Sequence, residues 1–240
     1  MATLIVRNLT KTYGYRHALR DVSFDLTAGE VVAVVGANGA GKTTLLRVLA
    51  GLVRPTGGSV RLESHEGAVP RQLIGYVAHD TMLYGDLSAE ANLRFYARLY
   101  DIADGERRAL ALLERVGLAE RRRERVRGYS HGMRRRLAVA RALLHAPRLL
   151  LLDEPTAGLD AEATALLEAL IAEQAAAGCA VLMATHDHDR ALGTVCRVLG
   201  LARGRLAMDA PAGEVTAAQL VGLCRGLPTE RPALSAGGHP

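Results

Sequence analysis

The sequence predicts an α/β fold with a helical second lobe, on three observations. Short apolar runs (VVAVVG at 31–36, LLLL at 149–152, AVLMAT at 180–185) alternate with helical patterns, the arrangement of a sheet covered by helices. The runs are continuous rather than alternating, as strands buried on both faces are. Between about 81 and 145 the pattern becomes helical throughout, which argues a separate lobe inserted into the sheet.

The elements follow in order. LIVRNLT (4–10) and VSFDL (22–26) read as strands, and VVAVVG as a buried strand bounded by glycine. A helix is expected from about Lys42 to Ala50, with Gly51 as its stop, and PTGG (55–58) is a turn. SVRLE (59–63) and LIGYVA (73–78) are further strands. From Ser88 to Gly117, Arg and Glu fill one helical face and Leu, Phe and Tyr the other. Tyr84, Leu87, Phe95 and Tyr96 read mostly as core of this lobe. Another helix runs from Ser130 to about Leu144. A further one spans 160–177 and stops at Gly178. Residues 225–240, rich in Pro, Gly and Ala, read as a flexible tail.

Composition narrows the function classes. Of 240 residues, 49% are hydrophobic and 23% charged, ordinary for a globular chain with a sizeable core. The net charge is +5, nearly all of it arginine, and lysine occurs only at Lys11 and Lys42. The charges are interspersed, which favours background over a nucleic-acid surface. Three separated cysteines give no CxxC spacing, hence neither a zinc site nor a disulfide framework. No apolar run approaches the roughly 18–20 residues that span a bilayer, and the N-terminus does not read as a signal peptide. If the protein serves a membrane, it needs a membrane partner.

GANGAGKT (36–43) matches GxxxxGK followed by Thr, placed after a predicted strand and before a predicted helix. Gly36, Asn38, Gly39 and Gly41 let backbone N–H groups turn inward around phosphate oxygens, and the helix N-terminus adds to that field. Lys42 neutralises β/γ-phosphates. Thr43 can place its hydroxyl on Mg²⁺, and Thr44 can bond a nearby phosphate oxygen. LLLLDEP (149–155) ends a hydrophobic strand in two carboxylates. Asp153 can hold Mg²⁺ through water, and Glu154 is placed to polarise an attacking water. Without the phosphate loop, the same run is a strand with an exposed acidic turn. YSHGMRRRLAVARALL (129–144) offers Ser130 as an N-cap and Gly132 for close backbone approach. On its own it reads as a capped helix with no ligand.

The order phosphate loop, serine-glycine helix start, LLLLDEP, AGLD (157–160) and THD (185–187) resembles ABC ATPase nucleotide-binding domains over about residues 3–208. The resemblance implies a P-loop NTPase fold of the ABC type, with a mixed-sheet core, an antiparallel β subdomain and a helical subdomain at about 81–145. The domain would occupy residues 1–224. YSHGM corresponds to the family's signature segment, normally LSGGQ, whose Ser130 and Gly132 contact ATP held by the other subunit. Tyr129, His131 and Met133 depart from the common form. By the same resemblance Tyr13 stacks on adenine, although by itself it is equally a core tyrosine. Asp160 ends the loop that carries communication across the dimer. His186 is the switch histidine near the γ-phosphate. The implied enzyme hydrolyses ATP with Mg²⁺ as a dimer, with two like copies the expected pairing. It would work with integral-membrane permease subunits at the cytoplasmic face of the membrane, with no nucleic acid as partner.

One position departs informatively. In GYVAHD (75–80), His79 stands where the family carries a glutamine that touches Mg²⁺ and the attacking water. Imidazole can accept from water or ligate a metal, but as a softer ligand, and it titrates near neutral pH. The coupling is therefore expected to respond to pH. YVAHD, with DLSAEANLRFYARLY (86–100), is similar to the ATP-binding subunit of the cytochrome c maturation heme exporter. YSHGM leans instead toward drug and polysaccharide exporters. No heme-binding CxxCH occurs. Two other classes compete. A soluble ABC ATPase acting on nucleic acid finds its best support in RRRERVR (121–127), which reads more readily as a solvated helix end. A small-molecule phosphotransferase leaves YSHGM and THD unexplained.

Overall fold

A computed structural model describes residues 2–62, 70–185 and 195–224. In chain order the elements are β1 (Ala2–Tyr13), β2 (Arg16–Thr27), β3 (Val31–Val35), α1 (Lys42–Leu49), β4 (Gly57–Leu62), β5 (Ile74–Val77), α2 (Ala89–Leu99), α3 (Gly105–Arg115), α4 (His131–Leu143), β6 (Leu149–Asp153), α5 (Ala161–Ala176), β7 (Ala180–Ala184), β8 (Arg197–Ala202), β9 (Arg205–Pro211) and α6 (Ala217–Cys224).

Successive side chains of a strand point to opposite faces, and here both faces are covered. Val31, Ala33 and Val35 of β3 enter one core, while Val32 and Val34 enter the other. β6 divides in the same way: Leu150 and Leu152 face the first core, Leu149 and Leu151 the second. This is why the runs are apolar without interruption. Burying each such leucine stabilises the fold by about 1.5–3 kcal/mol relative to leaving it exposed.

These strands form a six-stranded sheet in the order β5-β6-β7-β3-β8-β9. Its pairings are parallel except for the β8–β9 hairpin at one margin. A second, antiparallel sheet has β1 between β2 and β4. The first core holds the helices between β5 and β6, with Leu93, Leu113 and Leu137 among its members. The second holds α1 and the antiparallel sheet. A mixed sheet, an antiparallel sheet and a helical segment are thus all present.

Three features differ from the sequence reading. The helical stretch from 88 to 117 is two helices. Asp101 takes a left-handed φ of 51°, and a Cβ on Gly105 would lie 2.6 Å from Ala97 Cβ. The chain doubles back so closely that a side chain at 105 has no room. Tyr84, Leu87 and Phe95 are exposed rather than core, Phe95 to 42%. The Phe95 ring packs edge to face on Tyr84 at 5.0 Å and on the partly buried Tyr96 at 5.3 Å between centroids. The β8–β9 hairpin and α6 had no sequence counterpart; β9 alternates regularly between exposed and half-buried residues, but none of them is fully buried, so its apolar signal is faint.

Candidate functional site

The phosphate loop crosses from β3 to α1 under tight steric limits. Gly36 has φ 153°, and a Cβ there would collide with the Leu201 carbonyl oxygen. Gly41 has φ 113°, and its Cβ would lie 2.6 Å from Ala18 O. Neither position admits a side chain. Gly41 is also the N-cap of α1, with no side chain capping the helix and no acidic residue in its first turn. The first N–H groups of α1 are therefore left for an anion. Lys42 is only 8% exposed. Its Nζ donates to Gly36 O at 2.6 Å and Ala37 O at 3.3 Å, back across the loop.

A cavity of about 240 Å³ opens on this loop, lined by Ala37, Asn38, Gly39, Gly41, Lys42, Thr43, His79, Asp153 and Glu154. The parallel sheet brings these residues together, because β3, β5 and β6 all end at this margin. Asp153 is the last residue of β6 and 3% exposed. Glu154 follows with φ 51°, a conformation that costs an L residue about 1–2 kcal/mol. Its N–H donates to Ala184 O at 2.9 Å. Thr43 and Asp153 supply hard oxygen donors of the kind Mg²⁺ takes. Among the described residues no trio of His, Cys, Asp and Glu converges closely enough to hold a metal alone. The donor set thus suits a cation that also takes phosphate oxygens and water.

The remaining candidates lie off this cavity. Thr44 follows Thr43 in the first turn of α1, half-buried. Tyr13 ends β1, 49% exposed, with the Lys11 ammonium 4.8 Å from its ring centroid. Ser130 caps α4 by accepting from Met133 N at 3.2 Å. A Cβ on Gly132 would meet only a Leu159 methyl, at 3.4 Å. Asp160 caps α5, accepting from Ala163 N at 2.8 Å. Ser130, Gly132 and Asp160 do not line the cavity of their own chain. His186 and the 225–240 tail lie outside the described residues.

Sequence reasoning missed three residues here. The Arg16 guanidinium, just after the Tyr13 turn, would lie 3.6 Å from a Cβ on Gly39 and so flanks the phosphate loop. Cys224 ends α6 near the same loop: burial pushes its thiol up, and the Lys42 ammonium pulls against it. Arg135 of α4 is buried against the backbone of Asp153 and Glu154. A cation in the turn after an aromatic residue was a signal for Arg16. The other two had none.

Fold and site together define a P-loop nucleoside triphosphatase, with the glycine-rich loop and the start of α1 on one side of the cavity and two carboxylates on the other. Residues 19–157 match the family model described as ABC transporter, and the chain belongs to that family as an ATP-binding subunit with an ABC ATPase domain. It is 42% identical over 218 residues to the aliphatic sulfonates import ATP-binding protein SsuB of Pseudomonas fluorescens, covering 87% of this chain and 76% of that protein. It is 35% identical to the linearmycin resistance ATP-binding protein LnrL of Bacillus subtilis, covering 76% of this chain and 61% of that protein. Its fold is similar to the dimeric ATP-binding cassette MJ0796 in a post-hydrolysis state bound to ADP and Pi. The TM-score is 0.78 and the identity 27%, covering 87% of this chain and 98% of that one.

Proposed function

We infer that the chain is the ATP-hydrolysing, energy-coupling subunit of an exporter that serves c-type cytochrome biogenesis, through heme export or release of a heme chaperone. One observation carries the hydrolytic part: a single cavity gathers Lys42, Thr43, His79, Asp153 and Glu154 beside the uncapped start of α1. In it Lys42 leaves the Gly36 carbonyl for the β/γ-phosphates, a stronger partner for an ammonium. Glu154 accepts the proton side of the attacking water and orients it in line. Thr43 and Asp153, with His79, would hold Mg²⁺, which when bound neutralises charge on the phosphate oxygens. Ser130 and Gly132 of a second copy would close the site over the γ-phosphate, with Tyr13 against the adenine. His186 and Asp160 complete the expected set.

The exposed cluster of Met82, Tyr84, Leu87, Phe95 and Leu99 suits an apolar segment of a permease. It lies in the lobe at about 81–145, and it would seat the subunit peripherally on the cytoplasmic face. Among the described residues no helix is long and apolar enough to cross a membrane. Three arginines of RRRERVR are engaged within the fold: Arg121 with Glu124 at 2.9 Å, Arg122 with Glu90 at 3.4 Å and Arg127 with Asp86 at 3.0 Å.

YVAHD and DLSAEANLRFYARLY support the heme cargo. YSHGM, and the similarity to a linearmycin resistance protein, favour a drug exporter as the second reading. The test is a chromosomal Lys42→Ala replacement, followed by staining membranes for covalently bound heme. Loss of the c-type cytochrome signal with other heme proteins intact is expected. Normal c-type cytochromes would remove the heme cargo and put the drug exporter first.

A further inference from the structure

Among the described residues, β5 is the outermost strand on its side of the sheet and pairs only with β6. Carbonyls alternate in direction along a strand, so those of Ile74, Tyr76 and Ala78 turn away from β6. Each meets a basic side chain from α4 or from just past its end. His145 Nε2 reaches Ile74 O at 3.1 Å, Arg141 donates to Tyr76 O at 2.6 Å, and Arg135 donates to Ala78 O at 2.6 Å. Arg135 alone reaches further. Its guanidinium, 3% exposed, also donates to the carbonyls of Asp153 and Glu154, and to Pro155 O at 3.3 Å. One side chain thus holds the residue before His79 and the left-handed turn that carries Glu154. Burial pulls the guanidinium down from its usual range, and the Asp153 and Glu154 charges oppose that.

We propose that Arg135 is a positioning residue for hydrolysis: by gripping the 153–155 backbone it sets the Glu154 carboxylate, and it ties that setting to the loop at His79 and to the helix behind Ser130. The proposal rests on the reading of Glu154 as the residue that orients water. Ser130 lies five residues before Arg135 on one rigid helix. Where Ser130 serves the nucleotide of the opposite subunit, Arg135 links the site a subunit completes to the site it owns.

Arg135→Lys keeps the charge but replaces a planar fork with a single nitrogen, which does not span Ala78 and the 153–155 run together. Arg141→Lys is the matched control, since Arg141 grips the same strand edge at Tyr76 and lies over the Tyr96 ring. Both are compared with the parent for kcat and KM of ATP hydrolysis and for affinity for a fluorescent ATP analogue. The expected result for Arg135→Lys is a kcat lower by about tenfold or more, with affinity within about twofold. Arg141→Lys should keep most of its kcat. Equal losses in the two variants, nucleotide affinity lost along with kcat, or an unimpaired kcat in Arg135→Lys would each overturn the proposal. Should Arg135→Lys not fold, Arg135→Gln, which keeps a planar donor, is read by the same criteria. A Glu154→Gln variant that hydrolyses ATP normally would instead remove the underlying reading, whatever the arginine variants do.

Discussion

Lys42 holds two carbonyls of its own loop, and Glu154 sits in a backbone conformation that most residues avoid. Both arrangements carry some local cost, which the proposed function explains by a ligand at this site. Glu154→Gln retains the shape of the side chain and removes the charge that, in the proposed reading, orients water. It is expected to bind ATP near normally, to hydrolyse it at least about a hundredfold more slowly, and to accumulate as a dimer on gel filtration with ATP. A turnover rate close to the parent's would sink the assignment. At this scale the sequence spoke where chemistry has a spelling. GANGAGKT and LLLLDEP name Lys42, Thr43, Asp153 and Glu154 directly, and the sheet puts all four around one cavity together with His79. Arg135 was illegible because its partners are carbonyls, which every residue carries. Only the fold, joining positions 57 apart at Ala78, reveals the contact.

Among the elements, α4 shows how a helix can be read correctly and its purpose missed. Its N-cap and apolar face follow from YSHGMRRRLAVARALL, and the structure gives His131–Leu143 with Ser130 as the cap. Its fastening to β5 does not follow, since Arg135 and Arg141 look like ordinary surface arginines in the string. His145 completes the fastening. A carbonyl accepts only, so Nε2 must carry the proton toward Ile74 O. Nδ1 is buried with no hydrogen-bond partner among the described residues, and the Tyr100 ring stacks at 4.4 Å. Burial lowers the pKa of this imidazole, with the Ile74 bond partly opposing. The unfolded chain then binds the proton at about pH 6.5 while the folded one resists it. Stability from this group is whole above that pH and falls as the solution is acidified through it. In His145→Gln the drop in melting temperature between about pH 7.5 and about pH 5.5 should be smaller than in the parent. An identical drop would show that His145 is not the titrating group. The split between α2 and α3 was hidden for a different reason. Apolar spacing continues through it, and the close approach at Gly105 is tertiary.

Across the whole molecule, the sheet is sealed by two cores that share its strands. Leu150 lies wholly buried on the helical side. Leu150→Ala should therefore cost about 2–5 kcal/mol in urea unfolding, and a loss under about 1 kcal/mol would mean that the cavity collapses freely. The α/β class was plain from the uninterrupted apolar runs, because burial on both faces is written into each strand. The β9 strand of the hairpin was not, since its inner face is only half-buried; β8, buried on both faces, carries the same kind of apolar run as the other strands and was passed over. The other margin has its own consequence. With the outward carbonyls of Ile74, Tyr76 and Ala78 all taken by α4 and His145, β5 offers a stray strand none of these three acceptors. A newly made chain meeting another finds those acceptors already occupied, which disfavours lengthening the sheet from that side and the runaway stacking of like molecules.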